Sequence, residues 1–306
     1  WQEGGEAVGL FLAAGALSLA GLAWWLRRQK RTGGATLIDP DLFTSALFRL
    51  GISGQMLQQI ALGGAMITLP IYLQMVLEYN ALQAGLSMAP LSLSMFATAI
   101  LAGRRAGGRR PADVIRIGYT LLLIGMVALV PIVPRADAGW ALAIPLMIAG
   151  IGLGLLVSQL NNYTLAPIEE ERVSEAAGVN SAAGSFGLSF GLAFAGAIML
   201  ATLSLTFTNM AMESVVLDPA EQQAVAEGLE NDAEVMSNTD LELLLVDQPP
   251  DVQAEIIRIN TEARPFALQV ALLIPILASA LGLLVSFRMR RQPDPVSSGL
   301  EGMVLA

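Results

Sequence analysis

The side chains of this chain that could do chemistry are neutral amides, hydroxyls and arginines. Its 306 residues include no His and no Cys. That excludes imidazole acid–base chemistry, Ser–His–Asp triads, thiol nucleophiles, zinc-finger patterns, haem ligation by His or Cys, and disulfides. No nucleophile–base pair or metal-ligand set is left to support an enzyme, and no organic or metal cofactor is implied. A net charge of −9 argues against a nucleic-acid partner.

The polar residues with informative spacing lie inside apolar stretches. Gln55 and Gln59 are an i,i+4 pair with Gln58 beside them, followed in the same stretch by Tyr72 and Gln74. Ser87 and Ser94 lie in the next apolar stretch, and Asn161 and Asn162 at the end of a later one. An amide in lipid is costly, so these groups must meet protein or a wet cavity. Cavity lining and helix-to-helix bonding both satisfy that demand. No Asp, Glu, Lys or Arg lies mid-span, so the usual intramembrane proton relay is absent from this chain. Arg104, Arg105, Arg109 and Arg110 crowd one short segment, with Asp113 as a local acid. They read either as topology anchors touching anionic lipid or as a latch that pairs in one conformation.

These residues need a membrane-spanning framework. Apolar residues make up 54% and charged residues 14% of the chain, about half the charge of an ordinary soluble domain. The charge falls in clusters between seven long apolar segments: Val8–Leu26, Leu50–Leu77, Gly85–Leu101, Ile117–Ile132, Trp140–Ser158, Asn180–Leu205 and Phe266–Phe287. The expected fold is therefore an all-α polytopic membrane protein of seven transmembrane helices. With segments 27–49, 102–116, 159–179 and the tail from 288 on the cytoplasmic side, 14 of the 17 Lys and Arg fall there, as the positive-inside rule requires. That puts the chain start outside and the chain end in the cytoplasm.

Pro70, Pro90, Pro145 and Pro275 interrupt four spans, each removing a backbone donor. Gly150, Gly152 and Gly154 resemble a phosphate loop only superficially, since no strand-to-helix unit surrounds them. They read as close packing between helices, like the GxxxG step from Gly187 to Gly191. Residues 206–265 hold 13 Asp and Glu against Arg258 and Arg264, so they belong outside. Asp218-Pro219-Ala220-Glu221 opens a helix to about Leu229, and Pro250-Asp251 opens another over Val252–Ala263. A small helical hairpin on the outer mouth is expected, with a flexible acidic loop as the alternative.

The string Leu69-Pro70-Ile71-Tyr72-Leu73-Gln74-Met75-Val76-Leu77, then Ala81-Leu82-Gln83-Ala84-Gly85 and Pro90, resembles the major facilitator superfamily. More narrowly it is similar to the C-terminal part of its fourteen-span drug:proton antiporters. Arg172-Val173, Ala177-Gly178-Val179-Asn180-Ser181, Gly187 and Gly191 resemble the approach to the penultimate span there. Gly108-Arg109-Arg110 match a cytoplasmic signature whose acidic position is Arg105 here, and Glu78 stands where such proteins often have Gly.

The resemblance implies a linker transmembrane helix with its basic flank at 1–31, a cytoplasmic connection at 32–49, and a six-helix half bundle at 50–291. That bundle would include the acidic extracytoplasmic helical loop 206–265, and 292–306 would be a cytoplasmic tail. It also implies alternating-access export of hydrophobic or cationic compounds in exchange for protons across the cytoplasmic membrane. The partners would be the lipid bilayer, a small amphiphilic substrate, protons, and an N-terminal transmembrane half that this chain lacks. A facilitator for a lipid-like molecule, siderophore or metabolite is the alternative within transport. A truncated membrane scaffold that binds a partner through the acidic loop is the alternative outside it.

Overall fold

The computed structural model describes residues 5–32, 38–104, 109–223, 225, 238–246 and 248–293. Among them every regular element is helical: α1 Gly5–Arg31, α2 Ala46–Met75, α3 Ala81–Arg104, α4 Pro111–Ile132, α5 Ala143–Leu165, α6 Val173–Met212, α7 Asn238–Leu244, α8 Pro250–Ala271 and α9 Leu273–Arg290, with short 3-10 turns between some of them. The protein is an all-α polytopic chain. Six helical stretches among the described residues are long and apolar enough to cross a membrane: Ala46–Met75, Ala81–Arg104, Pro111–Arg135, Gly139–Leu165, Glu170–Met212 and Pro250–Arg290. The segment expected as the first of seven spans forms the 27-residue helix α1. Leu10, Phe11, Leu17 and Leu19 on it are exposed and enter none of the hydrophobic cores.

Lipid offers helices no hydrophobic reason to associate, so the bundle relies on close packing. α2 packs against α6 on one side and α5 on the other, with α9 behind it. α3 packs on α5, and α4 closes the rear against α5 and α9. Glycines set the spacing. A methyl at Gly187 would lie 2.5 Å from the Met56 carbonyl oxygen, and one at Gly191 would lie 2.3 Å from that of Ile60. Gly150, Gly152 and Gly154 give α5 the same intimacy with the Leu91, Gly118 and Met95 carbonyls of α3 and α4. The core behind them is filled by Leu69, Leu73, Tyr119, Leu122, Leu153 and Leu160. Pro70 and Pro90 lie inside α2 and α3, and Pro145 is buried in the first turn of α5. Pro275 lacks the N–H that would continue the ladder, and the chain breaks between α8 and α9 at Leu272.

Two helical stretches, Glu170–Met212 and Pro250–Arg290, are longer than a membrane crossing needs. The 40 residues of α6 span about 60 Å at 1.5 Å per residue, twice a ~30 Å hydrocarbon core. The stretch expected as a separate outer helix, Val252–Ala263, instead runs unbroken into the last span as α8. The overhangs bury Met199, Leu203 and Phe207 against Ile256, Ile259 and Ala263, and Leu241 of α7 adds to this second core. Asp218 and Glu221 make a reciprocal capping box: Asp218 Oδ1 accepts from the Glu221 N–H at 2.8 Å, and Glu221 Oε2 from the Asp218 N–H at 2.8 Å. Residues 219–223 and 225 are helical, as expected, and 224 and 226–229 of that helix lie outside the described residues.

Arg264, buried, clamps this overhang to α2. Its Nη1 donates to the Met75 carbonyl at 2.7 Å and its Nε to Asn260 Oδ1 at 3.0 Å. Glu78 adopts φ 52°, the left-handed region that favours glycine, and its carboxylate accepts from the Thr239 N–H and hydroxyl at 3.0 and 2.6 Å. The Glu78 side chain thus holds α7.

The α2–α6 seam makes a direct prediction. Gly191→Ala forces a methyl onto a backbone carbonyl and should destabilise the protein by about 1–3 kcal/mol. Gly178→Ala, on the same helix with nothing within 4 Å, should be neutral or stabilising by up to about 1 kcal/mol. Thermal unfolding of the purified variants checks this, and equal shifts for both would contradict the seam.

Candidate functional site

Three sides of α2 are occupied by protein. Met56 and Ile60 meet α6, Gly51 meets Thr164 of α5, and Gly64 meets Pro275 of α9. The remaining stripe carries Gln55, Gln59 and Met66, which recur at helical spacing. Met66 is 51% exposed. A methyl at Gly184 of α6 would lie 3.3 Å from Gln55 Nε2 and 3.7 Å from Gln59 Cγ, so both amides lie along α6. One turn earlier, Asn180 Nδ2 donates to Asn161 Oδ1 of α5 at 3.1 Å. Gln55, Gln59, Asn161 and Asn180 thus share the face of α2 between α5 and α6.

α6 has two exposed stripes of opposite character. Ser181, Ser185 and Ser189 repeat every four residues beside Gly184 and are exposed. Phe186, Phe190 and Phe194 form a ladder of stacked rings, with centroids 6.1 and 4.8 Å apart. Phe186 is two residues from Gly184, hence about 200° around the helix. The serine stripe and the phenyl ladder leave α6 on either side of the seam that Gly184, Gly187 and Gly191 make with α2. Three buried amide oxygens, Gln59 Oε1 and Asn180 Oδ1 beside α6 and Gln58 Oε1 on the neighbouring side of α2, have no hydrogen-bond partner among the described residues. A buried polar atom without a partner costs about 1–3 kcal/mol, so the face calls for water or a ligand.

The other expected cavity residues lie elsewhere. Tyr72 is buried and donates its hydroxyl to the Val133 carbonyl at 2.7 Å, tying α2 to the end of α4. It borders a crevice of about 380 Å³ together with Pro265, Phe266 and Gln269, away from the amide face. Gln74 Nε2 bonds its own helix at the Pro70 carbonyl, 3.3 Å away. Ser87 donates to the Gln83 carbonyl at 2.9 Å and packs on Gly139; Ser94 donates to the Leu91 carbonyl at 3.1 Å and packs on Gly150. Both serines sit in the seam between α3 and the α5 segment. Asn162 is exposed, with Nδ2 3.5 Å from the Ser158 carbonyl oxygen of its own helix.

The basic end holds a different set of pairs from those expected. Asp113 pairs with Arg290 at 3.2 Å and Arg116 at 3.5 Å. Arg110 Nη2 donates to the Gln292 carbonyl at 3.4 Å. Arg104 and Arg109 are exposed, and Arg105 lies outside the described residues. A network absent from the sequence reading joins distant elements instead. Asp39 pairs with Lys30 of α1 and with Arg172 at 3.3 Å, Lys30 also reaches Asp41, and Arg172 pairs with Glu175 of α6 at 3.6 Å. Nothing local signals it, because Asp39 and Glu175 are brought together only by the fold.

The Lys30 hydrogen bond, and then the Asp41 N–H, hold the Asp39 carboxyl below its usual pKa. A depressed carboxylate contributes stability above its unfolded pKa and loses it as pH falls through the folded value. Asp39→Asn should therefore lower the melting temperature at neutral pH, and the gap to wild type should close on acidification below about pH 4. A gap unchanged down to pH 2 would contradict the pairing.

A family model described as Major Facilitator Superfamily matches residues 5–192. The probable actinorhodin transporter of Streptomyces coelicolor is 27% identical over 197 residues, 63% of this chain and 34% of that protein. The drug efflux pump JefA of Mycobacterium tuberculosis is 26% identical over 226 residues, 74% of this chain and 43% of its own. The putative multidrug resistance protein MdtD of Yersinia pestis is 29% identical over 203 residues, 65% of this chain and 41% of its own. The aligned part of the chain is thus less than half the length of these relatives.

Proposed function

The chain belongs to the Major Facilitator Superfamily, and from that membership we propose that it is the C-terminal part of a proton-coupled exporter of hydrophobic or cationic drugs. The names of the relatives support drug export, and their greater length supports a further bundle beyond this chain. In this reading α1 is a linker span and α2–α9 form one of the two bundles that rock about a central site. The basic end is cytoplasmic, the α6–α8 overhang is outside, and the membrane is the cytoplasmic one. The proton-binding acid belongs to the rest of the carrier, since the spans here are acid-free at mid-membrane.

The observation that carries the reading is the face of Gln55 and Gln59. It combines amides, exposed serine hydroxyls and an unpartnered oxygen on a surface that lipid would penalise. A water-filled pathway between two bundles satisfies such a face, and a compound crossing there would touch it.

Replacing both Gln55 and Gln59 by Leu in the intact carrier should leave the amount of protein in the membrane normal and change the substrate profile. A lost contact of ~1.4 kcal/mol changes affinity about tenfold. Concentration-dependent efflux of several drugs, at matched expression, reads this. Efflux constants unchanged for every compound, or loss of protein with constants intact, would defeat the assignment.

A further inference from the structure

The crevice that Tyr72 borders plays no part in the proposed pathway. Its volume of about 380 Å³ falls within the roughly 300–1,000 Å³ of small-molecule sites. The end of α2, the turn beyond α4 and one face of α8 form its walls, with Val76, Val133, Pro134, Pro265 and the half-exposed Phe266 supplying apolar surface beside the Tyr72 ring. The donors on these walls are spent on backbone carbonyls. Tyr72 donates its hydroxyl to Val133 at 2.7 Å, Thr261 its hydroxyl to Ile257 at 2.8 Å, and Gln269 its Nε2 to Val130 at 2.8 Å. An anion entering here would find its natural partners already taken.

Among the described residues that line the crevice, only Glu262 is charged. Its Oε2 accepts from Arg258 Nη1 at 2.9 Å, but Arg258 also donates Nε and Nη2 to Glu255, both at 2.9 Å. One guanidinium thus serves two carboxylates, which leaves a charge of −1 beside an apolar slot. The other charges nearby offset one another. Arg135 and Asp137, both exposed, flank the lining residue Ala136. Arg264 donates to the Met75 carbonyl and to Asn260, and interacts with the Glu78 carboxylate.

We propose that this crevice is a second binding site, separate from the Gln55 and Gln59 face, for a compact amphiphilic cation whose charge lies beside Glu262 and whose apolar groups lie against Phe266, Pro265 and Tyr72. Spent donors turn anions away, and the surplus carboxylate distinguishes a cation from a neutral apolar molecule. Occupancy of the site does not depend on export.

The test uses the intact carrier, freed of other cysteines, in vesicles of zwitterionic phospholipid. Phe266→Cys places a reporter on the crevice wall, and a small neutral maleimide reads its occupancy. The probes are tetraphenylphosphonium and tetraphenylborate, nearly equal in size and opposite in charge. Tetraphenylphosphonium should protect the thiol saturably. Adding Glu262→Gln should raise its half-protective concentration about fivefold, equivalent to ~1 kcal/mol for a half-exposed charge pair. The same substitution should not raise the constant for tetraphenylborate. Leu93→Cys, exposed on α3, should stay unprotected. Val76→Cys gives the same reading if Phe266→Cys fails to reach the membrane. Absence of saturable protection at both lining positions would overturn the proposal, as would equal protection at position 93 or a phosphonium constant indifferent to Glu262→Gln. Protection abolished by Gln55→Leu with Gln59→Leu would merge the crevice with the amide face and overturn it too.

Discussion

Everything in this bundle depends on backbones touching backbones. Inside a membrane, apolar side chains gain nothing by leaving lipid for one another, so helices hold together where they approach closely enough for dense contact. Gly187 and Gly191 bring α6 onto the Met56 and Ile60 carbonyls, and Gly150, Gly152 and Gly154 bring α5 onto α3 and α4. Once those seams close, rotation of α2 about its own axis is no longer free. Gln55 and Gln59 are directed along α6, on the stripe of α2 that also carries the exposed Met66. The glycines touch neither Gln55 nor Gln59 except at Gly184, yet they decide where those amides point.

The same seams divide the exposed surface of α6 into two chemistries. Serine hydroxyls line one side of the α2–α6 seam and a phenyl ladder the other. A helix surrounded by lipid has no use for three hydroxyls in a row, and a helix facing water on both sides has no use for stacked phenyl rings. The ends of the bundle are secured differently. At the basic end charged pairs tie α1 and α6 together through Asp39, while at the other end the buried Arg264 fastens the α8 overhang to the last carbonyls of α2.

Much of the framework was legible in the residues alone. Long uncharged runs and the prolines and glycines within them marked six of the spans and their packing residues. The lengths of α6 and α8 were not legible, because amphipathic sequence beyond the membrane continues a helix only if a second core, here Met199 to Phe207 against Ile256 to Ala263, rewards it. Among the polar candidates, the i,i+4 spacing of Gln55 and Gln59 identified a shared face. Tyr72, Ser87 and Ser94 went to seams, since a helix that is apolar all round gives no periodic signal for which side meets protein. Asn180 was passed over because it lies at the end of its apolar run and pairs with a residue on another helix. Glu78 appeared only as a departure from glycine; its positive φ and its grip on Thr239 became visible with the backbone in place.

The central claim is that the amide and hydroxyl face is wet and the phenyl face is not. The chain has no cysteine, so single cysteines report cleanly. In the intact carrier, Ser185→Cys should react with a small, charged, water-soluble thiol reagent, and a transported drug should protect it. Phe190→Cys, on the same helix, should resist the reagent with or without drug. Equal reactivity at the two positions, or reaction at 190 alone, would contradict the account.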